Sequence, residues 1–373
     1  MKNNFTIYFI TLTAVLFATS ALGQSSPTQN SSTTIQASVA NSEGNSTVKP
    51  EASAPDPKDP HAWMWIYQMP SFSDKDYKAA VDALLADYEK RLGKKLEPGA
   101  KRHAGIKVMT GTVGLSTPTG LVRAVIAALE ARGFKADELF IVDQSEDRMH
   151  DAGFLPLNAP TGEGTFDGAQ VIALERGRYF NLKWSYESNV PPSDWGQQQL
   201  DQKRLGWTSA PTERQSLLPV PLLLDVDFWI NLPVGADEGD FGMAGALVNA
   251  TLFASSNTQR FLDNPGTGSK AVADMAAVPE LQRGWVLTLM SLERYQYIGG
   301  PKFNALYTQS RPQLWMSPNA VMLDKMLFDA VEQAREDNRL PKEQTPAYID
   351  YARLPDMHLG DDDPKKMYLV KLP

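Results

Sequence analysis

Polar residues that can bind a ligand or move a proton follow an apolar segment near the middle of this chain. Asp143 closes that segment, and Glu146 and His150 come soon after it. A carboxylate and an imidazole four residues apart share one face if the stretch is helical. Such groups can act as general acid and base when they are held near a substrate. We take Asp143, Glu146 and His150 as candidate catalytic residues; the alternative for Glu146 and His150 is a solvated surface pair.

A second set of polar side chains lies where a ligand could be bound rather than transformed. Thr117 and Thr119 belong to a loop of small and hydroxyl residues at 110–119, Asn231 closes an apolar run, and Asn249 lies in a segment of small residues. We take all four as candidate ligand-binding residues. Two have simpler alternatives, because Thr117 can cap the helix that follows and Asn249 can also be a helix cap.

The elements that would position these residues begin with residues 222–249. An apolar run at 222–232 is interrupted only by Asp225 and Asp227, and we interpret it as a buried strand. The acidic, glycine-containing residues 235–242 predict a loop, and the small residues 243–249 predict the start of a helix.

A strand–helix–strand unit precedes that stretch. Residues 105–109 predict a short strand, the apolar residues between 121 and 129 recur at helical period, and residues 138–142 predict the next strand. This order is typical of a parallel sheet. Ligands then meet the loops at the carboxyl ends of the strands, here 110–119, 143–151 and 233–242. The helix that starts near Pro118 directs its amino end toward that edge, where a carboxylate or phosphate could bind.

The remaining elements complete an α/β pattern. Ser73 precedes Asp76 at capping-box spacing, and Gly93 ends the predicted helix. Residues 63–67 predict an edge strand or an aromatic plug. Further strands are predicted at 284–292, 313–316 and 367–372, with a helix that begins at Ser317 and Pro318. We therefore expect an α/β fold with a mainly parallel wound sheet flanked by helices, and an irregular central insertion at 153–220.

Composition excludes several classes of function. The net charge of -8 offers no basic patch for nucleic acid. The chain has no cysteine, which excludes disulfides, iron–sulfur clusters and a thiolate nucleophile. The four histidines lack metal-site spacing, and no phosphate-binding loop or dinucleotide fingerprint is present. We expect no metal and no cofactor, and a small-molecule ligand remains open.

The amino-terminal residues predict export. Residues 1–23 have a single early Lys, an apolar middle and small residues at 21–23, which is typical of a cleaved signal peptide. The alternative is an uncleaved anchor helix. Residues 24–60 are rich in Ser, Thr, Asn, Gln and Pro and predict a disordered linker. The domain then covers 61–373. We expect a periplasmic or extracellular protein with no stable membrane span after cleavage.

Several of these segments, in this order, resemble the family called domain of unknown function 362. The resemblance covers roughly residues 100–373 and lies in the matched segments 117–124, 142–143, 224–234, 241–253, 299–301, 317–324 and 358–360. It implies that the domain as a whole belongs to this family. It also adds His358, in a turn before the last strand, to the ligand-binding residues.

The chain departs from the family pattern at positive groups. A family lysine next to Asn249 is replaced by Val248, and another after the strand that ends near Leu232 is absent. Asn319 stands where the family has Asp. These losses favour an altered site and a binding role at the carboxyl edge of the sheet for a small anionic ligand or a partner. The alternative is an enzyme that hydrolyses, or abstracts a proton from, a small carboxylate or phosphate substrate.

Overall fold

The computed structural model describes residues 54–111, 114–156, 163–176, 178–190 and 214–373. The predicted signal peptide at 1–23 and most of the predicted linker at 24–60 lie outside these residues. The described residues all belong to one compact unit.

A mixed sheet of nine strands forms the centre of the fold, in the order β15-β1-β14-β11-β8-β2-β3-β5-β4. Its strands are β1 (Trp63–Gln68), β2 (Ala104–Val108), β3 (Leu139–Asp143), β4 (Glu163–Phe166), β5 (Ala169–Ala173), β8 (Phe228–Leu232), β11 (Trp285–Ser291), β14 (Gln313–Ser317) and β15 (Tyr368–Leu372). Three two-stranded sheets pair β6 (Phe180–Glu187) with β7 (Gln215–Pro219), β9 (Ala236–Asp237) with β10 (Met243–Ala244), and β12 (Tyr295–Gln296) with β13 (Thr308–Gln309).

All strands of the large sheet except β4 and β14 run in the same direction. The strands β11, β8, β2, β3 and β5 form a continuous parallel block. The predicted α/β fold with a mainly parallel sheet is therefore confirmed. The strands that carry Lys107, Asp143 and Asn231 are direct neighbours, so their carboxyl ends lie along one edge of the sheet.

Helices cover both faces of this sheet. They are α1 (Asp74–Leu92), α2 (Thr119–Glu130), α3 (Glu146–Asp151), α4 (Val220–Leu224), α5 (Ala246–Ala250), α6 (Gln259–Leu262), α7 (Pro265–Ala276), α8 (Pro279–Gly284), α9 (Ala320–Asp337) and α10 (Ala347–Ala352). Apolar residues of α1 and α2 form the core on one face. The other face is covered mainly by α5, α7, α9 and α10.

The ends of α1 follow the predicted signals. The Ser73 hydroxyl accepts a hydrogen bond from Asp76 N at 3.2 Å, and Gly93 ends the helix in a left-handed conformation with φ of 65°. Glycine adopts this conformation without the steric cost of a Cβ. The capping and stop signals for α1 are therefore confirmed.

The apolar run at 222–232 is not one strand, which corrects that prediction. Its first residues belong to α4, where Pro221 lies in the first turn, and only Phe228–Leu232 is a strand. Asp227 precedes the strand, and its carboxylate accepts hydrogen bonds from Gly99 N at 2.8 Å and Lys101 N at 2.9 Å. Proline at a first helical turn and a carboxylate that binds backbone N–H groups explain the break.

Three other elements differ from the predictions. The strand at 63–68 is not at the edge, because β15 pairs outside it. Helix α9 begins after Asn319 rather than Ser317, since the Asn319 side chain accepts from Met322 N at 2.9 Å. The insertion at 153–220 contains the strands β4 to β7, of which β4 and β5 join the large sheet. Paired strands therefore replace part of the irregular segment that the sequence suggests.

Candidate functional site

A buried polar network occupies the carboxyl ends of the three central strands. Its centre is Lys107 on β2, which has no exposed surface. The Lys107 ammonium donates to Asp143 Oδ1 at 2.7 Å, to Val108 O at 2.7 Å and to Asn249 Oδ1 at 2.8 Å. An ammonium group has three N–H donors, so every donor of Lys107 already has a partner within the protein.

The carboxylate of Asp143 is equally well bonded. In addition to Lys107, it accepts from Gln144 N at 2.8 Å, from Thr110 N at 2.6 Å and from the Thr110 hydroxyl at 2.6 Å. Asp143 is 3% exposed. A buried charge is stable when it is both paired and hydrogen bonded, and Asp143 meets both conditions.

Two asparagines extend the network from the sheet to helix α5. Asn249 Nδ2 donates to Asn231 Oδ1 at 2.7 Å, and Asn231 Nδ2 donates to Ala246 O at 2.8 Å. A carbonyl can only accept, so the bond to Ala246 fixes the orientation of the Asn231 amide and, through it, that of Asn249. The network therefore holds α5 against β2 and β8 in one arrangement.

Thr117 joins two strands rather than capping a helix. Its hydroxyl accepts from Met109 N at 2.8 Å and donates to Leu232 O at 2.6 Å. Helix α2 begins after Pro118 without a side-chain cap. Thr119 is the first residue of that helix and is half-buried at the same edge of the sheet.

Lys107 is the main site residue that the sequence analysis misses. A lone Lys in the otherwise apolar segment 104–109 is the signal that could have found it, because a lysine in a central strand is almost never fully buried unless it is paired. Burial lowers the pKa of Lys107, and the nearby Asp143 carboxylate opposes that shift. The ammonium beside Asn249 thus comes from β2, although the family pattern would place a lysine at 248.

Glu146 and His150 lie next to this network but do not belong to it. Both are on α3, and the Glu146 carboxylate pairs with the Arg176 guanidinium. His150 Nε2 lies 3.8 Å from Glu146 Oε1, while His150 Nδ1 lies 3.1 Å from Leu155 O. The side chains of Glu146 and His150 are 11% and 14% exposed. The predicted shared helix face is therefore present, as a nearly buried pair rather than a solvated one.

A cleft of about 250 Å³ opens beside Glu146. It is lined by Glu146, Asp147, Glu175 and Arg176. The residues at 146–147 follow β3 and those at 175–176 follow β5, so the cleft lies at the carboxyl ends of two adjacent parallel strands. Ligands of wound sheets usually bind at this edge. Its lining combines three carboxyl groups with one guanidinium.

Two of the three acids in the loop at 233–242 are buried, to different degrees, while Asp240 is exposed. Asp237 is 8% exposed and accepts a hydrogen bond from Gly300 N at 2.5 Å. Glu238 is half-buried, and burial together with the Asp237 charge raises the pKa of Glu238 to about 8. Through its hydrogen bond with Gly300 N, Asp237 connects the turn at 299–301 to the loop after β8.

His358 lies at the opposite edge of the sheet and is not brought together with the other candidates. It is exposed, with φ of 55°, and the next turn packs on Asn319. Asn319 follows β14, which runs against its neighbours and therefore ends at their amino edge. Asp143, Asn231, Asn249 and Thr117 share the carboxyl edge with Glu146, but His358 does not.

In the ranges that the structure describes, no group of three or more His, Asp or Glu side chains is placed to hold a metal ion. Among those same residues, no helix combines the length and apolar character that a membrane crossing requires. A second cleft, of about 470 Å³, is lined by Glu89, Lys90, Gly93, Lys95, Glu97 and Arg132. It lies beyond the carboxyl ends of α1 and α2, on the side of the sheet away from the network.

Comparison with known proteins adds little to the geometry. No family model matches the chain, and no curated protein matches it. Among the solved structures that match, a protein from Thermotoga maritima is similar at a TM-score of 0.37 and 10% sequence identity. The match covers 72% of this chain and 59% of that one. A likeness at this level carries no argument about function, and the resemblance to domain of unknown function 362 stays a prediction.

Proposed function

We propose that this chain is an exported protein that binds a small organic cation in the cleft beyond β3 and β5. The observation that carries the proposal is the lining of this cleft, where three of the four lining residues, Glu146, Asp147 and Glu175, are acidic and the fourth is Arg176. Arg176 is already paired with Glu146, and Glu175 Oε1 accepts from Glu146 N at 3.0 Å. Asp147 therefore adds an acidic group to a lining whose guanidinium is already engaged by Glu146.

This charge balance changes the class of ligand that the sequence favours. An anion would have to compete with Glu146 for Arg176 and would meet two further carboxylates. A small amine would find complementary charge, and attraction between opposite charges is stronger in a cleft than in open water. Lys107 and Asp143 of the buried network behind the cleft have no free hydrogen-bonding capacity to offer a ligand. The network therefore contributes rigidity to the cleft rather than a contact with the ligand.

Export remains part of the proposal on the strength of residues 1–23. Their early Lys, apolar middle and small residues at 21–23 support a cleaved signal peptide. Amino-terminal sequencing of the protein recovered from the producing cells tests this directly. We expect the mature chain to begin at Gln24, and recovery of an intact Met1 end from the cytoplasm would contradict export.

We also propose that the chain is a divergent member of domain of unknown function 362. The shared order of motifs supports this proposal. A lysine nitrogen beside Asn249 is consistent with it, although Lys107 reaches that position from another strand. An alignment of homologues would support the relationship if relatives that lack a lysine at position 107 have one at position 248 instead.

The second candidate function is acid–base catalysis, and one observation favours it. Because the Leu155 carbonyl can only accept a hydrogen bond, His150 Nδ1 carries the N–H that donates to it, and the lone pair of the neutral ring is then on Nε2, on the side of Glu146. A base oriented by a hydrogen-bond acceptor is a common feature of hydrolytic and proton-transfer sites. Asp143 lies behind this pair and is fully hydrogen bonded within the protein, so the candidate catalytic set reduces to Glu146 and His150.

A thermal-shift comparison tests the binding proposal. The probes are ethanolamine and putrescine as amines, phosphate and succinate as anions, and magnesium and zinc chlorides. A ligand at a hundred times its Kd stabilises the folded state by about 2.7 kcal/mol. We expect the amines alone to raise the Tm.

The variants for this comparison are Asp147→Asn and Glu175→Gln, which remove charge from the cleft but keep an acceptor oxygen. Glu130→Gln, at the exposed end of α2, is the matched control. We expect the amine effect to weaken in the two cleft variants and to persist in the control. Equal shifts in all three variants, or a shift with anions alone, would contradict the proposal.

A further inference from the structure

Lys107, Asn249 and Asp143 bring a nucleophile, an amide and a proton carrier together in a site without solvent. Lys107 and Asn249 have no exposed surface, and Asp143 is 3% exposed. The Lys107 nitrogen lies 2.8 Å from Asn249 Oδ1 and 2.7 Å from Asp143 Oδ1. Asn249 Cγ lies one C=O bond, about 1.23 Å, beyond that oxygen, so the nitrogen has only to shift from the oxygen lone pair toward the face of the amide to attack it.

We propose that Lys107 and Asn249 become joined by an isopeptide bond that forms spontaneously inside the folded protein, with Asp143 as the proton carrier. The product is a secondary amide between Lys107 Nζ and Asn249 Cγ. It would connect β2 to α5 across 142 positions of the chain.

The atoms of this reaction balance without an added reagent. Asp143 takes a proton from the Lys107 ammonium, and the lone pair of the resulting amine attacks Asn249 Cγ to form the new C–N bond. Asp143 delivers this proton to Nδ2, the Cγ–Nδ2 bond breaks, and ammonia departs. The attacking nitrogen gives its second proton to Asp143, and that proton leaves with the ammonia as ammonium. No atom is oxidised or reduced, and the protein loses one molecule of ammonia.

Two features of the site favour this reaction over a static hydrogen bond. The Asn231 amide and Ala246 O fix the Asn249 side chain with its oxygen toward Lys107 and its nitrogen away from it. The amide carbon is therefore held in one orientation rather than being free to rotate, which lowers the entropic part of the barrier. Burial lowers the pKa of Lys107 and so favours the neutral amine that must attack.

Thr110 keeps the proton carrier in place. Its backbone N–H and its hydroxyl both bind Asp143 Oδ2, which leaves Oδ1 directed at Lys107. The absence of exposed surface at Lys107 also excludes bulk water, which would otherwise hydrate the amine and compete as a nucleophile. The chain has no cysteine and therefore no disulfide, whereas an amide between Lys and Asn side chains is a covalent cross-link that its composition allows.

Intact mass measured under denaturing conditions tests the proposal with two variants of equal composition. Lys107→Met removes the nucleophile, whereas Lys78→Met replaces an exposed lysine of α1. The two chains have the same sequence mass. We expect Lys78→Met to be lighter by one ammonia, and equal masses would overturn the proposal. Because Lys107→Met could also fail to fold, a second measurement uses the wild-type protein alone.

Tryptic mapping of the wild-type protein supplies that independent measurement. Acylation of Lys107 would block cleavage after it, so peptide 103–123 should appear linked to peptide 215–260. The Asp143→Asn variant keeps both reacting side chains but lacks the proton carrier, and we expect free peptides 103–107 and 215–260 from it. Recovery of these free peptides from the wild type would overturn the proposal, whatever the variants do.

Discussion

The carboxylate of Asp324 lies directly against Gly245. A Cβ at position 245 would be 2.2 Å from Asp324 Oδ1, far closer than the 3.0 Å below which nonbonded Cβ contacts essentially never fall. The same carboxylate accepts from Ala246 N at 2.5 Å and Leu247 N at 3.0 Å. Asp324 thus supplies, from α9, the cap that α5 lacks from its own sequence. The position of Asn249 in the buried network depends on this contact.

The first prediction concerns Gly245→Ala. The added Cβ must displace the Asp324 carboxylate from the two N–H groups it binds, and overpacking of this kind costs about 1–3 kcal/mol. Gly266→Ala is the matched control, since Gly266 lies in the first turn of α7 with nothing within 4 Å of an added Cβ. Urea unfolding should show a loss of stability for Gly245→Ala and no loss for Gly266→Ala. Equal effects would mean that the contact with Asp324 is not tight.

The second prediction concerns the pH dependence of stability. Burial raises the pKa of Asp324 to about 7, against 3.8 for a free side chain, although the Leu247 and Ala246 N–H groups oppose the shift. The folded state therefore binds the Asp324 proton more tightly than the unfolded state does. The contribution of Asp324 is complete below about pH 4 and is lost as pH rises to about 7.

Asp324→Asn should remove this part of the pH dependence. At 1.36 kcal/mol per pKa unit, the wild type would lose at most on the order of 4 kcal/mol between pH 4 and pH 7.5 that the variant does not lose. Other carboxyl groups titrate in both proteins, so the comparison is the difference between their urea unfolding curves at each pH. A difference that stays constant with pH would exclude a raised pKa at Asp324. The conservative control is Asp82→Asn, at a partly exposed ion pair.

The third prediction concerns Asn319→Asp, which introduces the residue that the pattern of domain of unknown function 362, which this chain resembles, has at this position. Asn319 Nδ2 donates to His61 O at 3.1 Å and to Asp361 O at 2.9 Å, and its Oδ1 caps α9. A carboxylate could keep the cap but would place negative charge against two carbonyls. We expect a loss of about 1–3 kcal/mol at neutral pH, because a buried acceptor without a donor costs that much.

Part of that loss should be recovered in acid, where the introduced carboxyl group is protonated and can donate one hydrogen bond. Asn181→Asp, at an exposed position of β6 where the side-chain oxygen accepts from Lys183 N at 2.9 Å, is the control. Chemical unfolding at pH 7.5 and pH 4.5 checks both variants. A neutral or stabilising effect of Asn319→Asp at pH 7.5 would show that these two carbonyls are not important for stability.

The fourth prediction concerns Arg260, whose side chain fixes the segments around the insertion. Its guanidinium donates to Val190 O at 2.6 Å, to Arg214 O at 3.0 Å and to the Ser216 hydroxyl at 3.0 Å. Lysine has fewer donors and no planar fork, so Arg260→Lys cannot reproduce this set. We expect limited proteolysis to cleave the variant faster near residues 188–190 and 214–216.

The control for this prediction is Arg283→Lys, at an exposed position of α8. It should be cleaved at the wild-type rate. Unchanged protection in Arg260→Lys would indicate that packing on Phe261, whose ring lies 4.5 Å from the guanidinium carbon, holds these segments instead.

The sequence was informative where neighbouring strands are also close in the chain. The unit from β2 through α2 to β3 is local, so its parallel pairing and the shared edge of Thr117 and Asp143 could be predicted from periodicity. Asn231 and Asn249 could be assigned to the same edge because β8, which carries Asn231, ends there and the segment with Asn249 follows it. The charge of Lys107 was hidden within an apolar strand, and its partners come from segments 36 and 142 residues away.

The misplaced residue, His358, has a physical explanation. Whether a turn lies at the carboxyl or the amino edge depends on the direction of the strand before it, and β14 is antiparallel to both of its neighbours. Periodicity shows that residues 313–317 form a strand but carries no information on direction. The partners of α5 raise the same difficulty, since nothing near Gly245 indicates that Asp324 will cap it.

The pairing of β1 has a consequence for how the protein acquires its shape. Both neighbours of β1 come from the last part of the chain, β14 at Gln313–Ser317 and β15 at Tyr368–Leu372. During synthesis the aromatic strand Trp63–Gln68 therefore has no partner until residues beyond 313, about 250 positions later in the chain, have been made. Contacts over such long sequence separations form slowly, and an exposed strand invites association with other chains. The part of the sheet formed by β15, β1 and β14 should therefore be the last to assemble. It should also be the part that depends most on protection by chaperones.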